Sequence, residues 1–279
     1  VDVDQAGCYY QVNVREDSEE LKALCDTMNR YRNATINYVF GDVKEPLTGE
    51  TICSWMTGSQ GTAVILDQEK VTAFVAGLAG KYDTAGTART FHTAGGRDVE
   101  ITGPYGWKLD VAGEVAALTQ LIQAGLGEGE QDREPVYAAT AASRSLPDWG
   151  NTYVEIDLTG QHVYMFQEGN LVWEAPCVTG NIAKNYNTPA GIYSLTYKEK
   201  DRILRGKKKP DGTYEYESHV DYWMPFNGGI GLHDASWRSK FGGTLYQTGG
   251  SHGCINLPPQ KAPALYDLVY KGIPVLCTP

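Results

Sequence analysis

The chain is predicted to fold as an α+β N-terminal domain followed by a mainly β domain, sandwich- or barrel-like, with one late helix and a lid. Three observations support this. Helical and strand patterns alternate up to about Tyr137; a stretch rich in Ala and Ser, with Pro147 and Gly150 and no sustained periodicity, follows it; and short strands separated by turn residues fill the remainder. At 279 residues the chain is long enough for two hydrophobic cores. The expected division is a first domain at 1–137, a linker at 138–150 and a second domain at 151–279.

In the first domain, Asp17-Ser18-Glu19-Glu20 reads as a helix N-terminus, Asp17 and Glu20 being spaced as a capping box. Leu21, Leu24, Cys25 and Met28 follow at helical spacing as far as Arg32, and Ala34 to Phe40 alternates as a strand. Asp67 is the candidate N-cap of the strongest helical pattern, in which Val71, Phe74, Val75, Leu78, Ala79 and Tyr82 share a face. Residues 88–93 and 97–102 are predicted strands joined by Gly95-Gly96, and 114–124 a helix with Val115, Leu118, Leu121 and Ile122 apolar. In the second domain, strands are expected at 153–158, 161–167, 171–178, 191–198, 214–219 and 273–277, and a helix at 259–270 with Ala262, Leu265, Tyr266 and Val269 inward.

The formal net charge of -10 argues against a general affinity for nucleic acid or an anionic membrane. One small basic cluster exists, Arg205-Gly206-Lys207-Lys208-Lys209, which reads as a solvated face or as a basic patch able to draw in carboxylates. No run approaches the roughly 20 apolar residues of a membrane-spanning helix. The first residue is Val1, so an upstream export or anchor segment is expected to have been removed, and a membrane anchor would belong there. Six cysteines are widely spaced without a C-x-x-C pair. Cys177 and Cys277 sit in apolar β-like runs as buried hydrophobes; Cys25 could pair with Cys53, or Cys8 with either, in an oxidising compartment, and no bridge is assigned.

The candidate chemistry lies in Ser251-His252-Gly253-Cys254-Ile255-Asn256 and in Gly231-Leu232-His233-Asp234 upstream. A thiol is a nucleophile only as thiolate, so it needs an activating base, and two histidines are at hand. Gly253 removes bulk beside Cys254, while Ser251 and His252 are polar groups that a core position would not carry. His233 ends an apolar alternating strand, a rigid mount for an imidazole, and Asp234 could orient it through side chain or backbone. A zinc site of His233, His252 and Cys254 is chemically conceivable but disfavoured, so no metal or other cofactor is expected.

His233, seventeen intervening residues, then Ser251 to Asn256 resembles the signature of the L,D-transpeptidases with a YkuD-type catalytic domain, enzymes that remodel bacterial peptidoglycan. Thr188-Pro189-Ala190-Gly191 and Gly272-Ile273-Pro274-Val275 resemble further segments of that domain over 151–279. The stretch from Phe74 to Thr84, with Arg89-Thr90-Phe91 and Tyr105-Gly106-Trp107, resembles a peptidoglycan-binding domain; a mere spacer is the alternative. The resemblance implies that Cys254 is the nucleophile and His233 its base, in a thiolate–imidazolium pair. It implies that the carbonyl after His233, that of Asp234, orients the ring. Backbone N–H groups at Gly253 and Cys254 would stabilise the oxyanion, with His252 and Ser251 shaping the site. Asn256 would fix the loop at the substrate site.

The partners implied are stem peptides, a donor tetrapeptide that loses D-Ala and an acceptor amine, together with carbapenem β-lactams as inhibitors, at the extracellular face of the cell in the wall. Residues 201–226 resemble a lid with its tip at Asp211-Gly212, Tyr222 and Trp223 facing the cleft and Trp237 walling it. The rival readings are an L,D-carboxypeptidase, with water as acceptor, and a non-catalytic wall-binding protein.

Overall fold

The computed structural model describes residues 18–60 and 63–279. Asp17 of the expected capping box and Cys8 lie outside the described residues. Among those described, Cys25 and Cys53 are both free thiols. Contacts divide the chain into two compact units, Val1–Asp83 with Lys108–Ala138, and Thr84–Trp107 with Ala139–Pro279.

In the first unit α1 (Glu19–Arg32) follows Ser18, whose side chain makes no capping bond. Strand β1 (Ala34–Phe40) appears as the alternation predicts, flanked by antiparallel β2 (Val43–Thr48) and, in parallel, by β8 (Gly129–Arg133). Between them come α2 (Gly49–Ser54), the pair β3 (Met56–Gln60) and β4 (Ala63–Leu66), and α3 (Gln68–Tyr82). Asp67 caps α3 as expected, accepting the N–H groups of Glu69 and Lys70. Helix α4 (Val111–Ala124) starts three residues before the predicted helix because Asp110 caps it through Gly113 N–H. Ile36, Tyr38, Ile52, Val71, Val75, Leu118 and Ile122 form the core. Glu114 is buried beside it, which is tolerable because its carboxylate accepts from Tyr38 Oη (2.7 Å), the Arg133 guanidinium (2.9 and 3.0 Å) and Val136 N–H (2.7 Å).

The hairpin of β5 (Arg89–His92) and β6 (Asp98–Ile101) forms where expected, yet it belongs with the second unit and not with the sequence around it. Short β7 (Lys108–Leu109) and β9 (Tyr137–Ala139) pair with each other.

The second unit has two sheets. One runs β12 (Asn170–Pro176), β11 (His162–Gln167), β10 (Tyr153–Asp157), β18 (Pro274–Thr278), β13 (Gly191–Ser194); the other runs β14 (Glu199–Arg205), β15 (Glu217–Asn227), β16 (Ile230–Asp234), β17 (Ile255–Leu257). Val154, Ile156, Val163 and Val275 of the first sheet enclose a core with Met224, Leu232, Ile255 and Leu257 of the second. Short α5 (Leu245–Gly249) precedes the Cys254 loop. Helix α6 (Ala262–Leu268) is shorter than predicted, since Pro263 fits only a first turn.

Strand β10 explains the hairpin's place. Val154 and Ile156 point into the core, so Glu155 and Asp157 point outward, and both are nonetheless buried. The hairpin covers them: Ala94 N–H donates to both oxygens of Glu155 (3.1 and 3.0 Å), and Arg97 reaches Asp157 at 3.3 Å. The expected linker at 138–150 is also partly ordered into this unit, with Asp148 and Trp149 buried. The predicted strand at 214–219 is a longer one, β15, whose partner β14 the sequence had not suggested; together they form the expected lid hairpin, with Gly212 in the left-handed region (φ 87°) near its tip.

Candidate active site

Strands β16 and β17 run parallel with His233 opposite Asn256, so the pairing itself carries the end of the His233 strand beside the loop of Cys254. Residues 178–181 anchor that loop. Ser251 N–H donates to the Thr179 carbonyl and Asn181 N–H to the Ser251 carbonyl, both at 2.9 Å, while Val178 and Asn256 exchange backbone bonds of 3.0 and 2.9 Å. Ser251 Oγ donates to the Cys254 carbonyl (2.6 Å) and accepts Gly253 N–H (3.0 Å). Gly253 has φ 121°, and a Cβ there would lie 3.3 Å from Ile230, so the bend that presents the thiol requires glycine. Thr188 clamps the same residue, its hydroxyl donating to the Gly253 carbonyl at 2.7 Å and accepting Gly180 N–H at 3.0 Å.

His233 is buried, and its Nδ1 lies 2.7 Å from the carbonyl oxygen of Asp234. A carbonyl only accepts, so Nδ1 carries the proton and Nε2 presents a lone pair. The backbone of Asp234 therefore orients the ring, while its carboxylate accepts Tyr222 N–H at 2.8 Å. Nε2 meets the Asn256 amide Nδ2 at 3.0 Å, and Asn256 Oδ1 accepts from Arg238 Nε at 2.6 Å. Arg238 is held in turn by the Gly249 carbonyl at 2.8 Å.

A cavity of about 240 Å³ is lined by His233, Cys254, Asn256, Trp237, Ser251 and His252, with Leu204, Tyr216 and Ser218 supplied by the lid hairpin. Cys254 Sγ donates to the Gly229 carbonyl at 3.5 Å, and among the described residues no hydrogen bond joins it to His233. Burial pushes the thiol up to about 11, with the Gly231 backbone acting against the rise. Burial also holds the His233 imidazole below its ordinary value, against the raising influence of Asp234. Both shifts favour the neutral forms of the thiol and the imidazole at rest.

Not every other site residue lies as expected. Gly253 N–H is committed to Ser251, so it is not a free oxyanion donor at rest. His252 is exposed, its ring 4.6 Å from those of both Tyr186 and Tyr216. Trp237 is half exposed, 5.8 Å from the His233 ring, and walls the cavity. Tyr222 and Trp223, expected to face the cleft, are not part of the cavity wall. Successive residues of β15 point oppositely, so Trp223 is buried 6.0 Å from His233 and bonds Tyr197 Oη, while Tyr222 stacks edgewise on Tyr266. Arg238, Tyr186 and Tyr216 were not singled out from the sequence; none lies in a motif, and only the returning chain brings them to the loop.

Among the described residues no group of three or more His, Cys, Asp or Glu could hold a metal ion, and no helix is long and apolar enough to cross a membrane. Two sheets with a cysteine loop entering β17 and a histidine ending β16 define a YkuD-type catalytic domain. Residues 151–277 match the family model for the L,D-transpeptidase catalytic domain, YkuD, and residues 17–130 the model described as "Putative peptidoglycan binding domain". Among solved structures, the chain resembles the Ldtfm-avibactam carbamoyl enzyme at 34% identity and TM-score 0.73, covering 93% of this chain and 99% of that one. It also resembles a cysteine-to-serine mutant of the Enterococcus faecium L,D-transpeptidase, at 34% identity and TM-score 0.71, covering 91% and 99%. No curated protein matches it. The chain belongs to the L,D-transpeptidase family, its catalytic domain preceded by a peptidoglycan-binding domain.

Proposed function

We propose that the protein forms 3-3 cross-links in peptidoglycan through a thioester on Cys254, releasing D-Ala from tetrapeptide stems. The supporting observation is the lone pair on His233 Nε2, fixed by the Asp234 carbonyl, in the same cavity as the Cys254 thiol. The thiol proton passes to Nε2 as sulfur attacks the carbonyl of the third stem residue, which requires Asn256 to release that nitrogen. Collapse of the tetrahedral intermediate breaks the C–N bond, and His233 returns the proton to the departing D-Ala amine. The side-chain amine of a second stem then attacks the thioester, His233 takes its proton, and the sulfur leaves and is reprotonated. Cys254 N–H is the natural oxyanion donor, Gly253 N–H being occupied by Ser251.

The work site that follows is the cell wall, outside the membrane. A relative forms a carbamoyl enzyme with avibactam; we extend such acylation to Cys254 here, with carbapenems as the reagents. Incubation with a disaccharide-tetrapeptide tests the reaction. The expected products are a cross-linked dimer and free D-Ala; a tripeptide without dimer would make water the acceptor and the enzyme a carboxypeptidase, and no product would reject catalysis.

A further inference from the structure

The cavity that holds Cys254 and His233 also has Arg238 in its wall, and among the described lining residues Arg238 is the one with a permanent charge. Its guanidinium is held without being neutralised. Nε donates to Asn256 Oδ1 (2.6 Å) and Nη1 to the Gly249 carbonyl (2.8 Å), both uncharged acceptors. Arg89 and Arg133, likewise drawn into the protein, each meet a buried carboxylate, that of Asp148 and of Glu114. No ion pair joins Arg238 to a described residue, and burial pushes its guanidinium below its ordinary value with no acid acting against it.

The third nitrogen of the fork is open. Nη2 bonds none of the described residues, and it is not one of their buried polar atoms left without a partner, so solvent reaches it. A half-buried cation with an accessible, unused donor and no counter-charge, in a chain of net charge -10, calls for an anion from outside.

The proposed reaction supplies one at the right place. The departing D-Ala carries an α-carboxylate whose carbon lies about 2.5 Å from the amine nitrogen. That nitrogen has to take its proton from His233 Nε2, so it must come to where Asn256 Nδ2 now stands, 3.0 Å from the ring nitrogen. Arg238 Nε lies against the other end of the same amide. A single amide therefore separates the place of the departing amine from the guanidinium, and that is the span its carboxylate covers.

We propose that Arg238 binds the α-carboxylate of the residue that leaves, so that the enzyme selects donor stems ending one residue after the scissile bond. This rests on the D-Ala-releasing reaction proposed above. A stem extended by a further residue carries an uncharged amide at that point and loses the charge-assisted bond.

Calorimetry on Cys254→Ala, which cannot turn its ligand over, tests this with a stem tetrapeptide ending in D-Ala and the same stem ending in D-alaninamide. The free acid should bind roughly 10- to 100-fold tighter. Arg238→Gln, which keeps a donor for Asn256 Oδ1 but no charge, should erase that difference. Arg238→Met should erase it too, so the test stands if one variant misfolds. With Cys254 present, the ratio of kcat/KM for the two donors should follow the same pattern. Equal weakening of both stems in the variants would leave Arg238 as a positioning residue for Asn256 alone and overturn the proposal. So would undetectable binding of the acid, equal binding of acid and amide by Cys254→Ala, or a preference that survives both substitutions. Preferred binding of the acid without turnover of disaccharide-tetrapeptide would reject only the proposed reaction, and turnover without preference only this role of Arg238.

Discussion

The Asn256 amide stands 3.0 Å from Nε2 of His233, on the ring nitrogen that a base must have free. With Arg238 Nε holding Asn256 Oδ1 at 2.6 Å, the amide cannot flip without losing both bonds. The proposed base is thus held with Nδ1 protonated and Nε2 occupied by Asn256.

Removing that partner should harm both fold and rate. Asn256→Ala leaves buried Nε2 and Arg238 Nε unpaired, costing about 1–3 kcal/mol of stability, and the loosened imidazole should lower kcat by roughly 10- to 100-fold. Arg238→Ala should act on kcat in the same direction, and the double variant should lose less than the sum. Urea unfolding with steady-state transfer rates checks this; additive losses would dissolve the supposed chain of contacts.

Thiol reactivity should follow burial. With the Cys254 thiol pushed up to about 11 and no imidazolium beside it, alkylation of the free enzyme should keep accelerating well above pH 9. Iodoacetamide rates on a variant lacking Cys8, Cys25 and Cys53 give the profile. An inflection below pH 8 would mean that an ion pair forms without substrate.

Cys254→Ala should abolish transfer while leaving the fold nearly intact, because the half-buried thiol lines a cavity and packs in no core. Intact-mass spectrometry should show a carbapenem adduct on the wild type alone. An equal adduct on the alanine variant would place acylation elsewhere.

Glu155 should make stability fall with pH. Burial chiefly raises it from 4.5 to about 7, Ala94 N–H opposing, Asp157 adding to the rise, and Arg97 and His92 opposing it. The folded chain then holds a proton that the unfolded chain has released. Stability from this group is therefore intact below about pH 4.5, declines up to about 7 and is flat above, a total on the order of 3 kcal/mol. Glu155→Gln should raise Tm by several degrees at pH 8 and leave it unchanged at pH 4. Equal shifts at both values would show that the carboxylate carries no such cost.

Much of this was legible in the residues. Strand β1, α3 and the β5–β6 hairpin declare themselves by period, cap and turn, and Cys254 with His233 by motif spacing. Strands β2 and β8 do not. Gly129-Glu130-Gln131-Asp132-Arg133 is a polar edge strand ordered by its pairing with β1, with no periodicity of its own. The domain division at 137 misses the packing of residues 84–107 on β10, because burial of Glu155 and Asp157 arises only once the hairpin arrives. Arg238 was hidden for the same reason: its partner lies eighteen residues further on, across a loop whose path no local pattern fixes.

The cover over β10 bears on how this enzyme should be dissected. A truncated version beginning at Asn151 would discard Thr84–Trp107, so Glu155 would look into solvent and titrate like an ordinary surface acid, and Asp157 would lose its Arg97 partner. Such a fragment would keep the Cys254 loop but be blind to the neutral-pH penalty. Activity measured on it would describe the Cys254 cavity without the ribbon that the longer chain packs over β10.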